Sequence, residues 1–251
     1  MIDRKSRLRP MPMGCSIGNV KITAGTSGCL VKRGEDVFIL SNAHVFTQDP
    51  MKEEIETGEI VQPGPYDGGL APDDKIGDLA DYIAIGAEEE EVTCPLAKFI
   101  ARLLNSVSKL FKRKSRFKVM TLTGKENRVD CAIASPISPD AVKKEVLEIG
   151  APKGTAEARL GMKIKKSGRT TGLTTGEVRL VSATVRVQYG RKTAIFKDQL
   201  VAGAMSKGGD SGSVVLDEDN RVCGLLFAGS DTTTIMNKIG DVKRLLGVKV
   251  A

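Results

Sequence analysis

Lys207-Gly-Gly-Asp-Ser-Gly-Ser-Val-Val215 is the stretch on which the reading of this chain turns. A serine hydroxyl is a poor nucleophile unless a base takes its proton and the developing oxyanion finds hydrogen-bond donors. Glycines on both sides of Asp210 and Ser211 free the backbone to aim N–H groups at a substrate carbonyl, and Gly209 and Ser211 would supply the two donors. A plainer reading of the same residues is a Gly-rich β turn in which Asp and Ser are ordinary turn formers. The apolar run Ser213-Val-Val-Leu216 that follows reads as a short strand.

Two further residues are needed for that chemistry. His44 is the only histidine in the chain and follows the apolar run Val37 to Leu40 through Ser41-Asn-Ala43, at a strand end with small residues beside it. An imidazole with its usual pKa near 6.5 suits a general base at neutral pH. The alternative is a structural or surface histidine, and a single histidine excludes any multi-histidine metal site. Asp130 opens the apolar run Val129-Asp-Cys-Ala-Ile-Ala134. A carboxylate there is costly without a partner, and a catalytic Asp has one in the imidazole N–H that it orients. Asp81 and Asp78 also precede an apolar strand, so the residues alone leave them open as rivals.

Working outward, the chain reads as short apolar runs broken by glycine (27 of 251 residues), Asn, Asp and Pro, the pattern of a turn-rich β protein. Gly28 to Lys32 and Asp36 to Ser41 flank Arg33-Gly-Glu35 as a hairpin. Asp81 to Gly86, Asn127 to Ala134, Lys163 to Ser167, Gly176 to Val187 and Val222 to Ala228 are further strands, with Gly168 to Gly176 a turn-rich connector. One segment departs from this rhythm. After Glu88 to Glu91, Leu96, Phe99, Ile100, Leu103, Leu104, Val107, Leu110 and Phe111 recur at spacings of three and four, followed by a basic run from Lys109 to Lys118. This is an amphipathic helical insertion. It reads either as a lid, a partner helix or an anionic-surface contact over 95–114, or as a helix that lays its apolar face on the first β half. Asn237 to Val248 predicts a short C-terminal helix.

Composition narrows the function classes. No window of eighteen apolar residues suggests a membrane span, and the basic start Met1 to Pro10 has no apolar stretch behind it, so no secretory signal peptide is expected. The five cysteines lack any C-x-x-C pair, which argues against zinc; buried free thiols in a reducing compartment, and hence a cytoplasmic location, are the expectation. The formal net charge is +7, but aromatics make up only 4%, and a nucleic-acid binder is not expected. There is no Walker A or G-x-G-x-x-G motif, Gly209 to Ser213 is not G-x-S-x-G, and Ser106-Val-Ser-Lys109 matches S-x-x-K by chance in the insertion. No cofactor or metal is implied.

The order His44, Asp130, Ser211 and the small residues around each resemble the trypsin/chymotrypsin superfamily of serine peptidases. Ser41-Asn-Ala-His44 resembles its Ala-Ala-His context, Asp130-Cys-Ala-Ile133 its Asp-Ile-Ala-Leu context, and Gly209-Asp-Ser-Gly212 its nucleophile motif; this favours Asp130 over its rivals. Arg9-Pro10, Gly14-Cys-Ser-Ile-Gly18, Thr23-Ala-Gly-Thr26, Gly77 to Tyr82, Asn127 to Asp130 and Gly168-Arg-Thr-Thr-Gly-Leu-Thr174 look like the narrow-leaf-type intracellular branch. The resemblance implies an all-β fold, a double antiparallel β-barrel of six strands each, with a helical insertion in the first barrel. Its parts would be a first barrel over 14–145 carrying His and Asp (insertion 92–117), a second over 155–236 carrying Ser, and a C-terminal helix over 237–251. It implies a serine endopeptidase acting on protein or peptide substrates, with a catalytically idle or self-processing binding module as the alternative.

The same resemblance makes Met205 the floor of the substrate pocket and Phe227, Ala228 and Gly229 its wall, so a preference for Lys or Arg is not expected. Two features depart from the family. Val45 replaces the usual cysteine after the histidine. No Ile-Val-Gly-Gly activation site is present, so Asp210 must be satisfied by something other than a new N-terminal amine, such as backbone N–H groups.

Overall fold

The computed structural model describes residues 2–54, 57–91, 95–110, 121–124 and 126–251. Its first half contains β1 (Met11–Met13), β2 (Ser16–Asn19), β3 (Gly25–Thr26), β4 (Leu30–Arg33), β5 (Asp36–Ser41), the one-turn helix α1 (Ala43–Phe46), β6 (Glu59–Val61) and β7 (Lys75–Tyr82). The insertion brings β8 (Glu88–Glu91), α2 (Pro95–Leu110) and β9 (Thr121–Gly124), and β10 (Ala132–Pro136) and β11 (Val142–Val146) complete the half. The second half holds β12 (Lys163–Gly168), β13 (Gly172–Tyr189), β14 (Lys192–Gly203), β15 (Val214–Asp217), β16 (Val222–Gly229) and β17 (Thr233–Lys238), before α3 (Ile239–Leu246) and β18 (Lys249–Val250).

The second half is a closed six-stranded barrel in the order β12-β13-β14-β17-β16-β15. The first is a curled eight-stranded sheet, β18-β4-β5-β10-β7-β6-β2-β3, with β1 pairing parallel to β11 outside it. The fold is thus the chymotrypsin-like double β-barrel, mostly β with few helices. The first sheet has eight strands in place of the expected six; one of them is β18, with which the chain's own tail returns to cover the edge of β4. The tail is therefore a helix plus a strand. Gly247, at φ 65°, ends α3 in the left-handed conformation that glycine adopts without steric cost, its N–H reaching the Lys243 carbonyl.

Hydrophobic burial explains the two units. Leu30, Ile39, Leu40, Ile60, Ile76 and Ile133 meet inside the first sheet, and Ile164, Val178, Leu200, Val215, Leu226 and Met236 inside the barrel. Some local expectations shift. The Arg33↔Asp36 pair closes the first hairpin on the two residues Gly34-Glu35. Most of the anticipated connector at 168–176 is strand: Lys165↔Thr175 and Lys166↔Thr174 pair, leaving only Arg169 to Thr171 as the turn. Threonine's β-branched side chain favours the pleated ladder once a partner strand is present. Glu88 to Glu91, which precede the predicted insertion, pair with Thr121 to Gly124 as a ribbon at its base.

Helix α2 confirms the periodicity over 95–110, while Phe111 and the basic run 112–118 lie outside the described residues. Its apolar stripe does not lie on the first half. Leu96, Phe99, Ile100, Leu103 and Leu104 are 65, 64, 47, 56 and 41% exposed, whereas Ser108, one turn beyond Leu104 at the edge of the stripe, is 7% exposed.

Candidate functional site

The register of the first sheet sets the geometry. Ala132 on β10 pairs with Ser41 on β5. Two residues before the one is Asp130; three residues after the other is His44, lifted from the strand line by α1. The imidazole Nδ1 lies 2.5 Å from Asp130 Oδ2. A carboxylate can only accept, so the ring's proton sits on Nδ1 and Nε2 is left as the free base.

Asp130 is fully buried and its four contacts are divided between its oxygens. Oδ1 accepts the N–H groups of Ala43 (2.7 Å) and His44 (3.3 Å); Oδ2 accepts the imidazole and the hydroxyl of Tyr189 (2.8 Å). Its own N–H donates to Asn237 Oδ1, and Asn42 Nδ2 donates to its carbonyl. Burial works against a charged imidazole, but the charge and hydrogen bond of Asp130 outweigh it and raise the His44 pKa above its usual value.

Tyr189 was not among the residues singled out from sequence. It stands at the tip of the β13–β14 hairpin, which closes on Gly190-Arg191 and belongs to the second half. Its ring meets His44 edge-on at 6.0 Å and Phe196 at 6.1 Å. The hairpin is held against the first half where Asn127 joins both sides of Phe196: its N–H reaches the Ile195 carbonyl and its carbonyl accepts the Lys197 N–H. Burial, then the neighbouring carboxylate, pushes the Tyr189 pKa far up, so the phenol stays a neutral donor.

Ser211 lies on the loop between β14 and β15. Its carbonyl accepts the Thr26 N–H (2.8 Å), and Thr26 Oγ1 donates to the Gly209 carbonyl, so β3 of the first half clamps the loop. Gly212, at φ 95°, is the point of closest approach: a Cβ there would sit 2.2 Å from Thr26 O and Ser41 Oγ. Gly25 lies between the loop and α1, where a Cβ would meet Val45 Cγ2 at 2.5 Å and Ser211 O at 2.9 Å. Gly209 also has positive φ, 93°. Among the described residues neither the Gly209 nor the Ser211 N–H has an acceptor. Ser211 Oγ turns toward the Phe227 carbonyl at 3.4 Å, and no hydrogen bond joins it to the His44 ring.

Asp210, beside the serine, is also fully buried. Oδ1 accepts the N–H groups of Thr170 and Thr171; Oδ2 accepts the Thr171 hydroxyl (2.6 Å) and the Lys207 N–H (2.9 Å). Backbone donors were anticipated, but a cation is present too. Lys166 Nζ, on a side chain with no exposed surface, lies 3.2 Å from Oδ2. Burial alone would raise the Asp210 pKa; the Lys166 charge, the Thr171 hydroxyl and the backbone donors bring it below the usual carboxylate range. Beside these threonines Arg169 grips Asp67 with its fork at 2.5 and 2.6 Å, tying their turn to the first half, and Thr170 Oγ1 donates to the Gly208 carbonyl of the serine loop.

The residues assigned to the pocket separate into two groups. Met205 is 4% exposed in the core of the second barrel, with Gly176 against its sulfur. Phe227 is 3% exposed, its ring 4.7 Å from that of Phe196. Ala228 is half-buried and Gly229 exposed, and a Cβ on Gly229 would come 3.2 Å from Ser206 Oγ, which hydrogen-bonds Thr234. Ser206 and Thr234, a polar pair absent from the sequence reading, therefore border the Gly229 backbone.

Comparison with known proteins adds the fold. No protein-family model matches the sequence, and no curated protein does. Solved structures do. Thermobifida fusca protease A superposes with a TM-score of 0.60 at 17% identity, over 96% of this chain and 98% of that one. Cellulomonas bogoriensis chymotrypsin and the Nocardiopsis protease each give 0.58, at 14 and 13% identity, with the same coverages. The chain therefore has the chymotrypsin-like double β-barrel fold that these bacterial serine proteases share.

Proposed function

We propose that the protein is a serine endopeptidase that hydrolyses peptide bonds through an acyl-enzyme. The observation that carries this reading is the His44 Nδ1–Asp130 Oδ2 contact in the half of the fold that also clamps the loop of a Gly-flanked serine, where the Gly209 and Ser211 N–H groups have no acceptor among the described residues. In the reaction Nε2 of His44 takes the Ser211 proton as Oγ attacks the carbonyl carbon. The N–H groups of Gly209 and Ser211 hold the oxyanion. The imidazolium, stabilised by Asp130, then protonates the leaving amine. A water deprotonated by His44 releases the acyl group and restores the serine.

Several features support the proposal. The Lys166–Asp210 pair and the Thr170–Gly208 contact hold the nucleophile loop, with Arg169–Asp67 fixing the adjoining turn. The segments likened to the narrow-leaf branch surround this loop: Gly168 to Gly172 wraps Asp210, and Thr26 clamps Gly209 and Ser211. Kinship with that branch, and a cytoplasmic location, belong to the proposal; the four described cysteines, all free and buried, agree with a reducing compartment. With no acid assigned to the pocket, an apolar or medium-sized side chain before the scissile bond is the proposed preference. A peptide library cleaved only after Arg would overturn it.

One observation favours a second reading, an idle or self-processing module on the same fold: the Ser211 hydroxyl is turned to Phe227 and not to the ring. Fluorophosphonate labelling separates the two. Labelling that disappears in Ser211→Ala is expected for the peptidase; an unlabelled wild type would identify the module.

A further inference from the structure

We infer that helix α2 is an in-plane anchor that seats this protein on an anionic lipid surface. The inference is independent of the peptidase reading. A helix of a globular domain ordinarily turns its apolar stripe to the core. Here the arrangement is reversed. Leu96, Phe99, Ile100, Leu103 and Leu104, the i, i+3, i+4, i+7 and i+8 positions of one stripe, are all substantially exposed, while Ser108, at the stripe's edge beside Leu104, is covered and Ala101 and Asn105, further round the helix, are partly so. Five large apolar side chains presented together by one helix are more than scattered surface hydrophobics.

The distribution of charge selects the occupant. Eight of the chain's 38 basic residues, Lys98, Arg102, Lys109, Lys112, Arg113, Lys114, Arg116 and Lys118, lie in 92–118, and none of its 31 acidic residues does. The remainder therefore holds 30 basic and 31 acidic residues, a net charge of −1. The whole excess positive charge of the protein is carried by the segment that also carries its exposed apolar stripe. Arg102 and Lys109 are exposed on the helix itself. A second copy would bring the same positive segment against the first and be repelled. An anionic headgroup layer over hydrocarbon satisfies both features, with the apolar stripe entering the acyl boundary and lysines and arginines reaching the headgroups. At 16 residues α2 is about 24 Å long, and no helix among the described residues is long and apolar enough to cross a membrane. The contact is a helix lying on the surface.

The test uses the full chain and vesicles of phosphatidylcholine with and without phosphatidylserine. The chain has no Trp, so Phe99→Trp gives a single fluorescent reporter on the stripe. Expected are co-sedimentation with the anionic vesicles only, a blue shift of the Trp emission on binding, and weakening of several-fold or more when salt is raised from about 0.1 to about 0.5 M. Leu103→Glu, at an exposed site, should lower the partition at least about tenfold while far-UV circular dichroism and the melting temperature stay at wild-type values. Arg102→Glu with Lys109→Glu should weaken binding without touching the stripe. No sedimentation, equal binding to both vesicle types, or a dimer in sedimentation velocity that Leu103→Glu abolishes while vesicles are ignored would each overturn the inference.

Discussion

Asp130 and Asp210 are both carboxylates with no exposed surface, and the contrast between their surroundings separates two kinds of work. Asp210 faces three backbone N–H groups, the Thr171 hydroxyl and the Lys166 ammonium. Its charge is met by the Lys166 ammonium, and its contacts fasten the Ser211 loop. Asp130 faces two backbone N–H groups, a neutral phenol and an imidazole. Its counter-charge comes and goes with a proton. A buried carboxylate has to be compensated in either case. A cation that stays suits a static frame, and a titratable one suits the proposed reaction, in which a proton would move in every turnover.

The sharpest way to break this comparison is to disable the titratable side. Asp130→Asn keeps the volume but can present an amide N–H to Nδ1, favouring the wrong tautomer, and kcat should fall about 10⁴-fold with little change in KM. Steady-state kinetics on a cleaved peptide would show it, and a near-wild-type kcat would remove Asp130 from the reaction.

The fixed side should answer in stability first. Lys166→Met fills the space but leaves Asp210 buried and uncompensated, which should cost about 3–5 kcal/mol by urea unfolding. Because Asp210 titrates below the usual range in the folded protein, the wild type keeps this contribution above the carboxylate range and loses it as pH falls through the lowered value. In Lys166→Met that loss should begin at higher pH. Unchanged unfolding midpoints from pH 4 to 8 would show that the ammonium is not the counter-charge.

The smallest effect is the most diagnostic. Tyr189→Phe removes only the hydroxyl that donates to Asp130. A hydrogen bond to a charged group is worth about 1.5–3 kcal/mol, so kcat should fall roughly tenfold with KM nearly unchanged. Without the phenol, Asp130 attracts the imidazole proton more strongly. Activity requires neutral His44, so the acid limb of the kcat/KM profile, already set by a raised pKa, should move to still higher pH. Stability follows the opposite sign: the His44–Asp130 pair contributes fully below the unfolded histidine pKa and is lost as pH rises through the folded one. A limb that stays in place would mark Tyr189 as packing only.

Much of this was legible before any fold was known. Period-two runs and Gly-Asn-Asp breaks announced strands, the three-and-four spacing announced α2, and Gly209-Asp-Ser-Gly212 announced a nucleophile loop, because each is a local pattern tied to local geometry. Other features had no local signal. Nothing local marked Glu88 to Glu91 as a strand; the return of the chain at Thr121 to Gly124 supplied its partner. Tyr189 is 59 positions from the carboxylate it contacts, and only the long β13–β14 hairpin, held by Asn127, brings its hydroxyl there.

The sequence by itself determined the element types, the all-β class and the residue kinds a serine peptidase needs, since backbone propensity and side-chain chemistry are properties of short stretches. Tertiary structure alone decided that Tyr189 completes the contacts of Asp130, that a buried lysine answers Asp210, and that the stripe of α2 faces outward. Those outcomes depend on the burial and approach of groups distant along the chain, where the cost of an unmatched charge or the reward of a covered apolar face is settled only once the sheets have closed.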